Sequence, residues 1–166
     1  MVNITGLMST LITANHILSC HNVLDSFGHI SVRNPNTNTT FFIALQLGAA
    51  KGLSRSTLIL ADRVIGPAVV SGPADIGEYL IADGSPVNGT VGGYAERYIH
   101  SAILKAYPDV NAVVHSHAED VLPYTVLNSI SSEPVYHMAG FLGPLSWLLH
   151  YPTTDIKQAN KCQTGI

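Results

Sequence analysis

The stretch that decides the reading is Tyr107-Pro108-Asp109-Val110-Asn111-Ala112-Val113-Val114-His115-Ser116-His117. Pro108 stops any helix that precedes it, and Ala112–Val114 is a compact apolar run of strand type that leads straight into His-Ser-His. Side chains alternate along a strand, so His115 and His117 share one side, with Cβ atoms roughly 6.5 Å apart. Two neutral imidazoles at that spacing can meet on one first-row divalent ion, and a catalytic centre adds a third protein ligand and an open position. The alternative is a pair of half-exposed histidines at a turn.

Upstream of this strand, Tyr94 to Tyr107 has helical periodicity, with Glu96 and His100 four apart and hence on one face. Glu96 could ligate a metal or move protons, or it could be an N-terminal helical carboxylate beside a solvated His100. Asp83 to Gly93 is rich in Gly, Ser and Asn and reads as a loop. It has no Gly-Lys-Ser/Thr to make it a phosphate cradle. Further back, Gly28–Arg33 and Thr40–Leu45 flank the turn-forming cluster Asn34-Pro35-Asn36-Thr37-Asn38, which predicts an antiparallel hairpin. Ser56–Ala61 and Val64–Gly66 predict a second one. Leu7, Leu11, Ala14 and Leu18 fall at helical spacing, so a helix is expected over 6–24, ending near Asp25. Asp25 reads as a turn residue in preference to a partner for an imidazole. Another helix is expected from about Ala118, and 151–166 is polar and aperiodic.

Composition narrows the function. The 166 residues suit one domain. Eight Lys and Arg in a chain of formal charge −3 give no basic stripe for a phosphate backbone, which excludes nucleic acid as the expected partner. No apolar run reaches the roughly 18 residues of a membrane span, and there is no basic leader before the first apolar residues. Cys20 and Cys162 lack metal or redox spacing, so a cytoplasmic protein acting on a small molecule is expected. Only 11% of residues are charged against 46% hydrophobic. That shortage points to surface buried between subunits.

The order of parts, namely a helix, then Asp25-Ser26-Phe27-Gly28-His29-Ile30-Ser31-Val32-Arg33, then Glu96-x-x-x-His100, then Tyr107 to His117, resembles the class II aldolase/adducin family from about His16 to Gly143. The resemblance implies an α/β fold in three layers, α/β/α, with a mostly antiparallel central sheet, here a domain over 1–143 followed by a divergent tail over 144–166. It also implies a homo-oligomer, with a tetramer favoured. In the family's pattern His115 and His117 match two metal ligands, and Glu96 matches the carboxylate that ligates the resting metal or shuttles protons. Gly28, His29 and Gly48 fall on the substrate side, with His29 standing where the sugar-phosphate aldolases carry Asn. His137, within Pro134-Val135-Tyr136-His137-Met138, matches a substrate-side histidine and is similar to the decarboxylase-like branch.

Two departures shape the expected chemistry. Tyr94-Ala95 replaces the Ser-Ser pair that binds phosphate in the aldolases, which points to a non-phosphorylated substrate. No His-Gly follows Gly143, so the family's third histidine ligand is missing from its place. The third ligand would be Glu96, His137, His150, a group from another subunit, or none. Arg33 and Arg97 are candidates to hold a substrate carboxylate, although Arg97 adjoins Glu96 and should point elsewhere. The expected function is a metal-dependent lyase, with zinc favoured over iron or manganese, that cleaves a C–C bond in a small carboxylate or ketone. The rival is a metal-poor scaffold or a repurposed, substrate-shaping isomerase or cyclase on the same fold.

Overall fold

A computed structural model describes residues 2–25, 27–45, 70–87, 89–90 and 93–123. The chain divides into two units, Met1–His117 and Ala118–Ile166, and the sheet with His29, His100, His115 and His117 lies in the first. Of the second unit, 118–123 are described: a turn followed by helical residues 122 and 123. The expected hairpin at 56–66, Gly48, His137 and the tail over 144–166 lie outside the described residues.

Helix α1 runs Ile4–Cys20. Its start is set by Asn3, whose side chain accepts the Gly6 N–H at 3.2 Å and so satisfies one of the donors a helix leaves unpaired. It ends earlier than expected because Asn22 turns left-handed, with φ 56°. The N–H groups of His21, Asn22 and Val23 then fold back onto the carbonyls of Ile17, Ser19 and Leu18. Leu11 is the buried apolar residue of the predicted stripe.

The hairpin is as predicted. Strand β1 (His29–Arg33) pairs antiparallel with β2 (Thr40–Ala44) in the register Ser31↔Ile43 and Arg33↔Phe41. Asn34 organises the turn: its backbone accepts from Asn38 N–H and donates to Thr40, while its Oδ1 accepts the Asn36 N–H. A third strand, β3 (Ile76–Leu80), follows a 3₁₀ turn at Pro73–Asp75 and pairs with β2. Its sequence carries no local strand signature. Helix α2 (Arg97–Ala106) then leads to β4 (Ala112–His115), which pairs antiparallel with β1. The sheet order is β3-β2-β1-β4, with every pairing antiparallel.

Strand alternation explains the core. Phe41, Ile43, Tyr79 and Val113 gather on one face with Leu104 of α2. Ala44, one residue further along β2, packs instead with Val70, Ile12 of α1 and Ile76. Alternate residues of β1 are buried, namely His29, Ser31 and Arg33. Arg33 is not a substrate clamp. Its guanidinium donates to the carbonyls of Val110 (3.0 Å), Leu104 (2.7 Å) and Tyr107 (3.1 Å), tying the end of α2 to the sheet. Arg97 is likewise occupied, donating to the carbonyls of Gly84 and Tyr94 and to the hydroxyl of Tyr98. Glycine is required at position 93, where φ is +118° and a Cβ would strike the Tyr79 hydroxyl.

Candidate metal and substrate site

Cross-strand register builds the site. His29 opens β1 and His115 closes β4, and the two are direct partners in the antiparallel ladder. Two residues past His115, His117 brings its ring to 4.6 Å from that of His115, nearly perpendicular at 87°. The rings of His115 and His117 therefore meet at the strand tip.

The tip is held from the α1–β1 connection. Ser116, pointing away from its two neighbours, donates its hydroxyl to the Val23 carbonyl. Asp25 places its carboxylate oxygens 3.1 and 3.2 Å from Nδ1 of His117. Its Oδ1 also accepts the Phe27 N–H at 3.1 Å, so it serves as turn residue and imidazole partner together. A carboxylate on Nδ1 fixes the tautomer that leaves Nε2 with its lone pair available, which is what a metal-ligating histidine needs. The expectation of a turn role alone for Asp25 is thereby extended.

Glu96 caps α2 at its N-terminus, with helical backbone and no capping bond from its side chain. Its charge reaches His115: burial pulls the His115 pKa down, the neighbouring His117 pulls it further, and Glu96 and Asp25 push it back up. Gly28 is buried where a Cβ would sit 3.0 Å from Leu24 Cα, so it lets β1 begin against the end of α1. That is a packing reason for glycine at this position.

Beside the half-buried pair lies a second pair that spacing did not reveal. His29 is 1% exposed and His100 fully buried. The expectation of a solvated His100 is wrong, because α2 lays that face on the sheet beside Ser31. His100 Nδ1 is 2.7 Å from Ser31 Oγ. Among the described residues, both ring nitrogens of His29 and Nε2 of His100 have no hydrogen-bond partner. The His29 ring lies 3.7 Å from Tyr94, 5.7 Å from His115 and 6.0 Å from His100. Burial drives the His29 pKa down to about 2, helped by repulsion from His100, His115 and His117. It drives that of His100 to about 3, helped by His115. Both rings are therefore neutral at physiological pH. Tyr94 is pushed to about 12 by burial and by Glu96 and Asp25, so it stays a neutral hydroxyl.

The donor set suits a divalent ion, with neutral imidazoles, a carboxylate behind one of them and a second carboxylate near the other. Among the described residues, no three His, Cys, Asp or Glu side chains already stand around a common point. The ready part is the His115/His117 pair.

Comparison with known proteins agrees with this architecture. Residues 9–162 match the family described as Class II Aldolase and Adducin N-terminal domain. The chain belongs to that family. It is 44% identical over 162 residues to Decarboxylase tropJ of Talaromyces stipitatus, an alignment that covers 95% of this chain and 52% of that protein. The chain thus spans about half the length of the curated relative it matches.

Proposed function

We propose that this chain carries the metal-binding half of a carbon–carbon lyase of decarboxylase type, acting on a small, non-phosphorylated, oxygenated carboxylate. The observation that carries the reading is the convergence of His115 and His117 at 4.6 Å, with Asp25 on the far nitrogen of His117. Membership of the family and the likeness to a protein named as a decarboxylase support the class of reaction. The three-layer arrangement is supported by the two apolar clusters on opposite faces of β2.

The residues would divide the work as follows. His115 and His117 would hold the ion, zinc in preference to iron or manganese. A divalent ion there supplies Lewis acidity toward a carbonyl or carboxylate oxygen. Glu96, at the N-cap of α2, would deliver or accept the proton at the carbon that loses its bond, the role of the carboxylate it matches in the family's pattern. Tyr94 offers a neutral hydroxyl where a phosphate-binding serine stands in the aldolases. Its ring packs beside His29. His137 and Gly48 complete the substrate side in this reading, and a tetramer is the favoured assembly. A cytoplasmic location belongs to the same reading; among the described residues no helix is long and apolar enough to cross a membrane.

Metal analysis of the purified chain tests it. About one zinc, iron or manganese per chain is expected, lost in the His115→Ala/His117→Ala double variant. A metal-free protein that stays folded and gains nothing on addition of zinc, manganese or ferrous iron would overturn the lyase reading in favour of a scaffold.

A further inference from the structure

Glu96 sits at the N-cap of α2 without a capping bond from its side chain, so the backbone turn that carries it sets where its carboxylate can reach. We propose that Arg97 is a positioning residue of the site: its guanidinium pins both ends of the connection from Gly84 to Tyr94 and so fixes the turn that carries Glu96. The inference rests on the proposed roles of Glu96 in proton transfer and of His115 and His117 in holding the ion.

Three observations carry it. The first is the span of one side chain. Nε of Arg97 donates to the Gly84 carbonyl at 3.1 Å and Nη1 to the Tyr94 carbonyl at 2.9 Å, while Nη2 donates to the Tyr98 hydroxyl at 2.8 Å. A planar fork with fixed donor directions can hold carbonyls from two segments at once, which the point charge of a lysine cannot. The second is where the turn begins. The Tyr94 carbonyl also accepts the backbone N–H of Arg97 at 3.2 Å, and the N–H groups of Tyr98 and Ile99 follow onto the carbonyls of Ala95 and Glu96. Arg97 thus grips one carbonyl from its backbone and from its side chain, and Glu96 lies within the turn so closed. The third is the seat beneath it. A Cβ at Gly93 would strike the Tyr79 hydroxyl, and the Arg97 guanidinium stands 5.7 Å over the Tyr79 ring. Tyr94 itself is 4% exposed, with its ring 3.7 Å from that of His29.

The rival role for Arg97 is plain stabilisation, and the two differ in what its removal does. A residue that only adds bonds lowers stability when lost and leaves the turn where it was. A residue that pins the turn lets Ala95 and Glu96 move against β1 and β4. Misplacing a reacting group by about 1 Å can cost on the order of a hundredfold in rate. Arg97 would therefore act on the chemistry through the backbone, with no contact to substrate or ion.

The experiment is nuclear magnetic resonance of the full chain loaded with cobalt(II), with the zinc-loaded chain as diamagnetic reference, so that the cobalt-induced shift of each amide reports its place relative to the ion. It compares wild type with Arg97→Ala and Arg97→Lys, and uses His115→Ala/His117→Ala to test the ion site itself. Thermal unfolding of each is measured alongside. In both Arg97 variants cobalt affinity should stay within about threefold of wild type, since none of the Arg97 side-chain bonds is to an imidazole. The cobalt-induced shifts of Ile30 and Val32 on β1 should be unchanged, and those of Ala95 and Glu96 altered and broadened. Wild-type shifts at Ala95 and Glu96 in Arg97→Ala, whatever its Tm, overturn the proposal and leave Arg97 a stabilising residue. Wild-type shifts in Arg97→Lys overturn it too, because a single ammonium would then suffice where the fork is argued to be needed. Should Arg97→Ala not fold, Arg97→Lys decides by the same readings. If wild type takes up no cobalt, or the double variant binds it as wild type does, the metal reading itself falls and this inference with it.

Discussion

Two neutral imidazoles sealed under the sheet should make this protein sensitive to mild acid, by an amount that can be worked out. In the unfolded chain His29 and His100 titrate near the ordinary 6.5, whereas in the fold burial holds them at about 2 and about 3. Between those limits the unfolded state binds more protons, so stability rises with pH. The contribution is complete above pH 6.5 and is lost as pH falls toward the folded values. From pH 7 to pH 5 each ring costs about 2 kcal/mol, about 4 kcal/mol for the pair. That is a large share of the roughly 5–15 kcal/mol by which domains are stable. The assay is urea unfolding followed by far-ultraviolet circular dichroism, in the presence of chelator, at intervals between pH 7 and 5. The slope near pH 5.5 should correspond to at least about two protons taken up on unfolding for wild type. His100→Asn, which can keep a hydrogen bond to Ser31, should reduce it by about one. An unchanged slope in that variant would refute the reasoning, because it would mean that His100 is not held neutral by the fold.

Two other outcomes follow from the geometry. Asp25→Asn retains an acceptor for the Phe27 N–H but removes the carboxylate charge behind His117, so metal affinity should fall about tenfold with little change in thermal stability, as read by competitive chelation and calorimetry. Arg33→Met strips the buried carbonyl of Leu104 and the part-buried carbonyls of Val110 and Tyr107 of their donor and should cost about 3 kcal/mol, lowering Tm by roughly 6–12 °C. A shift under 2 °C in a scanning experiment would show that those carbonyls find other partners.

What could be read from the sequence was whatever has a local signature. The hairpin announced itself through Asn34 to Asn38, and the strand into His115-Ser116-His117 through its apolar run after Pro108. Strand β3 did not, because Ile76-Gly77-Glu78-Tyr79-Leu80 places a glycine and a carboxylate inside the strand. Both have tertiary causes. A Cβ at Gly77 would lie 2.6 Å from Leu45 Cδ2 and 2.8 Å from Tyr79. Glu78 is satisfied by Asn34 and Thr40 from neighbouring segments. The start of α2 was placed three residues early, since Tyr94 carries a helical apolar spacing but spends it packing against His29 ahead of the first turn. The buried His29–His100 pair was out of reach for the same reason: its residues are 71 apart in sequence, and only the laying of α2 over β1 brings them together. The period-two alternation of His29, Ser31 and Arg33 along β1 was the one available hint.

The clasp between the α1–β1 connection and the end of β4 has a consequence for how such a site could diversify. Ser116 fastens to Val23 and His117 to Asp25, so the connection that carries Val23 and Asp25 acts as an adjusting screw on the centre. Lengthening, shortening or recharging that short span would shift the pitch and basicity of one imidazole while leaving the sheet untouched. It is the place where a new chemistry could be tuned at the smallest structural cost.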